Sequence, residues 1–309
     1  MSEQFLGIEV GGTKIQVFVT NDTAKIVERH KFFVGQEREA SIIREKILEN
    51  VNTILRKHKI AGIGVGFGGP VDFRTGIIIT SHQIRGWADF HLAEWIQEFT
   101  NIPVIVDNDA NTAALGEAYF GSGKNCSRVF YITLGSGVGG GLIIDGEIYH
   151  GFKPGEAEIG HIRMGKDGTI LEHRCSGWAV DKKIRNYIKN KPGSIIAGIV
   201  SNEKSGESKY LLKAIEMGDK GANNILQETA DDLAFGLSHM VHIIHPGVII
   251  LGGGLSLIGD PLREAVEKNL RPYLMKAIPL PEIRMAALEE DAVCVGAALM
   301  AKKYLETIK

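Results

Sequence analysis

The sequence predicts an α/β protein of two similar domains, each a mixed β-sheet flanked by helices. Three observations carry that prediction. Runs of β-branched and apolar residues alternate with segments of helical periodicity, which is the order of α/β folds. A strand, glycine turn and strand occur at the N-terminus and again from Arg128, each time opening a new α/β stretch, and this reads as an internal duplication. The length of 309 residues is about two domains' worth and long enough to bury large cores.

The elements run in order from the N-terminus. Residues 5–10 and 15–20 are apolar runs joined by Gly11-Gly12-Thr13-Lys14, a hairpin with a glycine turn. Residues 26–34 form a third strand. Ser41 is the expected cap of a helix whose Ile43, Ile47, Val51, Ile54 and Leu55 recur at helical spacing. Residues 61–67 read as a buried strand ending in Gly68-Gly69-Pro70. A short helix at 92–99 leads to a strand at 104–106. Asp107-Asn108-Asp109-Ala110-Asn111 then opens an alanine-rich helix to Phe120. In the second half, a strand at 129–134 meets the turn 135–141, and the return strand begins at Leu142. A long helix spans 222–245, with Ile225, Leu233, Leu237, Val241 and Ile244 on one face. A strand at 248–251 runs into Gly252-Gly253-Gly254. The last helix, 295–304, is expected to return to the first domain. The expected domains are therefore 1–117 plus 292–309, and 118–291.

Composition excludes several classes of function. Hydrophobic residues make up 44% and charged residues 23%, close to globular averages, so a disordered chain is not expected. Lys and Arg total 35 against 37 Asp and Glu, a formal charge of -2, which leaves no basic excess for binding nucleic acid. The three cysteines, Cys126, Cys175 and Cys294, are odd in number and scattered, which fits a reducing compartment. The first residues carry no positive region, and no apolar run reaches the length of a membrane span. A cytoplasmic protein is expected.

Glycine is the unusual residue, 38 against 9 prolines, and it is clustered. Gly135-x-Gly137-x-x-Gly140 formally fits a dinucleotide fingerprint. That fingerprint works only where the turn opens a helix, and here Gly141-Leu142-Ile143-Ile144 reads as strand. A glycine hairpin without a ligand is the plainer alternative. Two such turns, one per half, point instead to backbone amides left bare for a polyphosphate, because glycine removes the side chain that keeps phosphate oxygens away. Asp109 admits two readings. A carboxylate at a strand end is suited to accept the proton of an attacking hydroxyl, or it simply caps the following helix.

These residues together resemble the ROK family of sugar kinases, glucokinase-like, within the actin-like ATPase-domain superfamily. The resemblance covers nearly the whole chain. It rests on Val10-Gly11-Gly12-Thr13-Lys14, Gly69-Pro70-Val71-Asp72, the run 107–117, the glycine hairpin 135–141, Ala157-Glu158-Ile159-Gly160-His161, Leu171-Glu172, Ser176-Gly177 and Gly252-Gly253-Gly254. The fold it implies is a pair of actin-like (ribonuclease H-like) domains around an interdomain cleft. The reaction it implies is ATP-dependent phosphorylation of a hexose or N-acetylhexosamine hydroxyl, glucose being the first expectation and N-acetylmannosamine the second.

By the same resemblance Asp109 matches the catalytic base, which favours function over capping. Asn108, Glu158, His161 and Glu172 match sugar-contacting positions, and Gly69 and Asp72 match a loop lining the sugar site. Asp107 matches no catalytic position. Glu9, Gly11, Gly12, Thr13, Lys14, Gly135, Ser136, Gly137, Gly139, Gly253 and Gly254 match nucleotide-binding positions. Magnesium arrives with ATP, near Glu9. A homodimer or homotetramer is implied, with neither nucleic acid nor membrane as partner.

Three departures stand out. Many members hold a structural zinc with the equivalent of His161 and three following cysteines; this chain has no cysteine between His161 and Glu172. His173 and Cys175 do not restore the usual four-ligand set, so no zinc is expected, and packing or hydrogen bonds must hold His161. Glu9 stands where the family usually has Asp, keeping the charge but reaching one methylene further. Gln83, before Ile84-Arg85-Gly86-Trp87, stands where the family usually has asparagine. Two alternatives to a kinase stand beside this reading: a sugar-responsive repressor, whose N-terminal helix-turn-helix is not expected with a first strand reading from Phe5, and a catalytically inactive sugar-binding regulatory protein of the same fold.

Overall fold

A computed structural model describes residues 3–35, 37–81, 83–152, 157–200 and 205–308. The chain begins with three antiparallel strands, β1 (Gln4–Val10), β2 (Lys14–Asn21) and β3 (Ile26–Phe33). Helix α1 (Ala40–Leu55) comes next, then β4 (Ile60–Phe67), which pairs in parallel with β1. A small sheet of β5 (Val71–Asp72), β6 (Ile77–Ile78) and β7 (Phe90–His91) interrupts the pattern before α2 (Leu92–Thr100). Then come β8 (Val104–Asn108), parallel to β4, and α3 (Asp109–Phe120).

The second set opens with β9 (Arg128–Leu134), β10 (Val138–Ile144) and β11 (Glu147–Ile148). Next are the helices α4 (Glu172–Cys175), α5 (Gly177–Asn190), α6 (Ile195–Val200), α7 (Leu211–Glu216) and α8 (Lys220–Ile244). β12 (Val248–Gly252), α9 (Asp260–Tyr273), β13 (Glu282–Met285) and α10 (Ala292–Ile308) complete the chain.

The five-stranded sheets run β3-β2-β1-β4-β8 and β11-β10-β9-β12-β13. The two orders are the same in chain sequence, with the first strand of each repeat at the centre. That identity gives the repeated glycine hairpins a structural basis, because each hairpin joins the first two strands of a repeat. The chain divides into two compact units: 1–125 with 141–156 and 290–309, and 126–140 with 157–289. Residues 141–156, assigned to the second domain by sequence, cluster with the first.

In the first unit β1 is buried from Phe5 to Val10, because helices cover both faces of the sheet. One face carries α1, whose Ile43, Ile47, Val51 and Ile54 are buried. Its start corrects the sequence reading. Helix α1 begins at Ala40, before Ser41, and its cap residue Glu39 makes no side-chain cap bond. The other face carries α10, packed on β1, β4 and α3. That approach needs glycine at two points: a Cβ at Gly64 would overlap the Ala297 carbonyl, and one at Gly296 would overlap the Thr112 carbonyl.

In the second unit α8 starts on Asp219, whose Oδ1 accepts from the N–H groups of Gly221 (2.9 Å) and Ala222 (3.1 Å). It ends at His245, in left-handed conformation with φ 51°. Strand β10 begins at Val138, inside the glycine run and four residues earlier than expected. No described helix is long and apolar enough to cross a membrane.

Candidate active site

The first unit brings the end of β1, the end of β4 and the β8–α3 corner together. The glycine turn is closed by Gly11 N–H donating to the Lys14 carbonyl (3.1 Å), and Gly68 N–H donates to the Val10 carbonyl (2.9 Å). Gly68 marks the convergence. A methyl group there would stand 3.3 Å from Asp109 Oδ2, 3.3 Å from the Val10 carbonyl and 3.6 Å from Gly11 Cα. The Asp109 carboxylate therefore lies beside the first glycine turn, with a residue lacking a side chain between them.

The capping alternative for Asp109 fails, because its neighbour does that job. Asn108 Oδ1 accepts from Ala110 N–H (2.8 Å) and Asn111 N–H (3.3 Å), the orphan donors of the first turn of α3. Asn108 Nδ2 donates to the Gly69 carbonyl (3.2 Å), which fixes the loop after β4 to the same corner. A Cβ at Gly69 would lie 2.8 Å from the Thr80 carbonyl, so the loop is tight there. Asp72 ends β5, and its Oδ1 accepts from Arg74 N–H (3.1 Å).

Glu9 sits one strand residue before this turn and is nearly buried. Gln16 Nε2 donates to Glu9 Oε2 (2.7 Å), and Lys14 Nζ lies 3.6 Å from the same oxygen. Glu9 Oε1 is on the Gly11 side. Burial pushes the carboxyl above its usual value, against the pull of Lys14 and Gln16. Half of this carboxylate is thus committed to holding the hairpin. Thr13 is exposed, and its carbonyl accepts from Val34 N–H (2.9 Å). Gln83 packs its carboxamide against the Cα of Gly12, which puts this family departure at the turn itself.

The second unit gathers the other candidates around the second glycine turn. Gly135 N–H donates to the Gly137 carbonyl (3.0 Å), and Gly177 N–H donates to the Gly135 carbonyl (2.7 Å). Glu172 Oε2 accepts from Val138 N–H (2.9 Å). A Cβ at Gly137 would stand 2.5 Å from that oxygen, so only glycine lets the carboxylate close over the turn. Gly253, with φ 81°, lies against Leu134, where a Cβ would come within 2.6 Å of the Leu134 nitrogen. Ideal Cβ atoms at Gly135 and Gly254 meet nothing within 4 Å, so backbone is bare on that side. The turn leads into β10 through Ser136, Gly137 and Gly139, with no helix to receive a dinucleotide pyrophosphate.

Glu158 and His161 are exposed, Glu158 just before and His161 at the end of a 3₁₀ turn, Ile159–His161. The turn is seated on β10, since a Cβ at Gly140 would lie 2.6 Å from the Ala157 carbonyl. Beyond His161 the chain doubles back as a hairpin. Met164 N–H donates to Thr169 O (2.8 Å), Leu171 N–H donates to Ile162 O (3.0 Å), and Arg163 bridges Ile170. Asp167 ties its tip, accepting from Thr169 N–H (3.1 Å) and Thr169 Oγ1 (2.8 Å), bonds that lower its pKa. Cys175 faces inward, its Sγ 3.6 Å from the Thr229 carbonyl, and burial raises its thiol well above its usual value. No group of three or more His, Cys, Asp or Glu suited to a metal occurs among the described residues.

Sequence reasoning passed over two side chains of the first unit. His150 pairs with Asp107 and stacks on Phe73, all three beside the β8–α3 corner. They lie far apart in the chain, and no spacing rule marks them.

The model of the ROK family matches residues 5–304. The chain belongs to the ROK family. Among ROK relatives, the glucokinase of Halalkalibacterium halodurans is 31% identical, over 97% of this chain and 95% of that protein. The glucokinase of Thermotoga maritima is 28% identical, over 98% of each chain. A ROK family glucokinase from Streptomyces griseus, solved with glucose and AMPPNP, superposes with a TM-score of 0.87 at 29% identity, covering 97% of this chain and 99% of that one. This ROK chain therefore has the actin-like fold, two mixed sheets flanked by helices. A xylose repressor of Caldicellulosiruptor bescii is also similar, 26% identical over 96% of this chain and 77% of the repressor.

Proposed function

We propose that this ROK protein is an ATP-dependent sugar kinase that phosphorylates a hexose or N-acetylhexosamine, glucose first and N-acetylmannosamine second, with Asp109 as general base. The single observation that carries the reading is the Asp109 carboxylate held beside the first glycine turn while Asn108 takes over the helix cap. The cap of α3 is made by Asn108, so helix capping does not explain an acid at position 109. Its place is the first turn of α3, at the positive end of the helix dipole.

In the proposed step the sugar hydroxyl donates its proton to an Asp109 carboxylate oxygen. The hydroxyl oxygen bonds to the γ-phosphorus of Mg-ATP, and the bond from that phosphorus to the β,γ-bridging oxygen breaks to release ADP. Asn108, Gly69, Asp72, Glu158, His161 and Glu172 are the proposed sugar contacts. The amides of the two glycine turns, with Gly253 and Gly254, are the proposed polyphosphate and adenosine contacts. The relatives named glucokinase support sugar phosphorylation, and the neighbour solved with glucose and AMPPNP supports ATP as co-substrate.

A coupled ADP-release assay over a panel of sugars tests this. Turnover with glucose ahead of N-acetylmannosamine is the expected result. Sugar binding without turnover on any member of the panel would overturn it in favour of an inactive binding protein.

A further inference from the structure

His150 lies just after β11, and its ring lies flat on Phe73, with centroids 3.6 Å apart and planes 10° from parallel. Its Nε2 is 2.6 Å from Asp107 Oδ2. Asp107 is only 3% exposed, a depth at which a carboxylate must be matched by donors. The other oxygen, Oδ1, accepts from Asn108 N–H (2.7 Å) and from Asn111 Nδ2 (3.1 Å). Paired with a carboxylate oxygen, Nε2 takes the donor side of this bond.

These bonds fall on the residues around the proposed base. Asp107 immediately precedes Asn108 and Asp109, and its Oδ1 holds the Asn108 amide and the Asn111 side chain at once. Asn108 in turn caps α3 and ties the Gly69 loop. Phe73 is next to Asp72 in the β5–β6 turn. A single imidazole therefore joins three segments of the first unit, and two of them carry proposed sugar contacts. The His150 side chain is itself about four-fifths buried, at 21% exposure, so its rotamer is held by what it touches.

We propose that His150 is a positioning residue for sugar phosphorylation, fixing the Asn108–Asp109 corner through Asp107 and the Asp72 turn through Phe73. The proposal rests on Asp109 being the base. It comes from geometry, since displacing a catalytic group by about 1 Å can cost roughly a hundredfold in rate. The role acts through Asp107 and Phe73; His150 itself touches no reacting atom.

Three variants test it in the full chain. His150→Phe keeps a flat ring on Phe73 but removes the donor. His150→Asn keeps an amide too short to reach Asp107 and leaves room for water beside the carboxylate, which guards against misfolding. His150→Gln returns an amide donor at the reach of Nε2. With glucose and ATP, the expected result is a kcat loss of about a hundredfold in His150→Phe and His150→Asn. KM for ATP should be unchanged, the melting temperature should stay above the assay temperature, and His150→Gln should recover most of the lost kcat. A merely structural role would lower the melting temperature and leave kcat of the folded enzyme intact. Wild-type kcat in His150→Asn, or a His150→Gln as slow as His150→Asn, overturns the proposal while an active wild type keeps the kinase reading. No phosphorylation of any sugar by the wild type refutes the kinase reading first and this proposal with it.

Discussion

Asp109→Asn separates base catalysis from the capping of α3 at the β8–α3 corner. Asn keeps the size of Asp and loses the charge that would accept the sugar proton. General-base catalysis contributes about 10² to 10⁴ in rate, or roughly 3 to 5 kcal/mol of barrier. The loss belongs in kcat, because Asn108 keeps its bonds to Ala110, Asn111 and Gly69 and so still shapes the corner. Stability changes little. The cap, worth about 0.5 to 2 kcal/mol, stays with Asn108 Oδ1. What Asp109 gives up is its charge at the positive end of α3, about 0.3 to 1 kcal/mol, or a melting shift of no more than about 4 °C in a protein of this size. Asn108→Ala is the converse: it strips the cap and the tie to the Gly69 carbonyl and should lower the melting temperature more than Asp109→Asn does. Scanning calorimetry beside a coupled kinase assay reads both. Undiminished kcat in Asp109→Asn would refute the reasoning.

Further outcomes are expected at four places. The hairpin after His161 is closed by its own backbone and by Asp167, so elemental analysis should find no stoichiometric zinc and chelators should leave the melting temperature unchanged; one zinc per chain sinks this. Gly137→Ala should drive the Glu172 carboxylate off Val138 N–H, disturbing a turn proposed for nucleotide and a carboxylate proposed for sugar and so raising KM for both substrates, and an unchanged KM for ATP would argue against nucleotide at this turn. Glu9 has its pKa raised by burial, so the folded state holds this proton more tightly than the unfolded one, and stability declines as pH climbs from the ordinary value of 4.5 through the raised one. Glu9→Gln should flatten that part of the stability–pH curve, and a curve parallel to wild type counts against it. Gly296→Ala should cost about 3 kcal/mol or more by forcing α10 away from the Thr112 carbonyl, and a wild-type melt would contradict the packing.

Much of the fold and part of the candidate site were legible in the sequence, for a local reason. Strand and helix periodicities depend on neighbours a few residues away, so β1, β2, β4, β9, α8 and α10 stand near where the apolar spacing puts them. The two glycine turns were legible because bare backbone is a property of the residue itself, and the equal order of the two sheets stems from the repeat they open. Asn108 and Asp109 could not be told apart as caps. Both side chains accept helix amides well, and only the backbone of the corner, with Asn108 at φ -63° and ψ 145°, gives the cap to Asn108 and leaves Asp109 beside Gly68. Strand β10 could not be started at Val138 from composition, since glycine disfavours strand locally and pairing within the sheet overrides it. The partnership of Asp107 with His150 was beyond reach as well. Its two members are 43 residues apart, and a buried carboxylate takes whichever donor the fold delivers. Sequence by itself determined which segments are strand, helix and bare turn, through interactions between near neighbours; the tertiary structure alone decided which side chains meet, because contacts between distant segments leave no periodic trace along the chain.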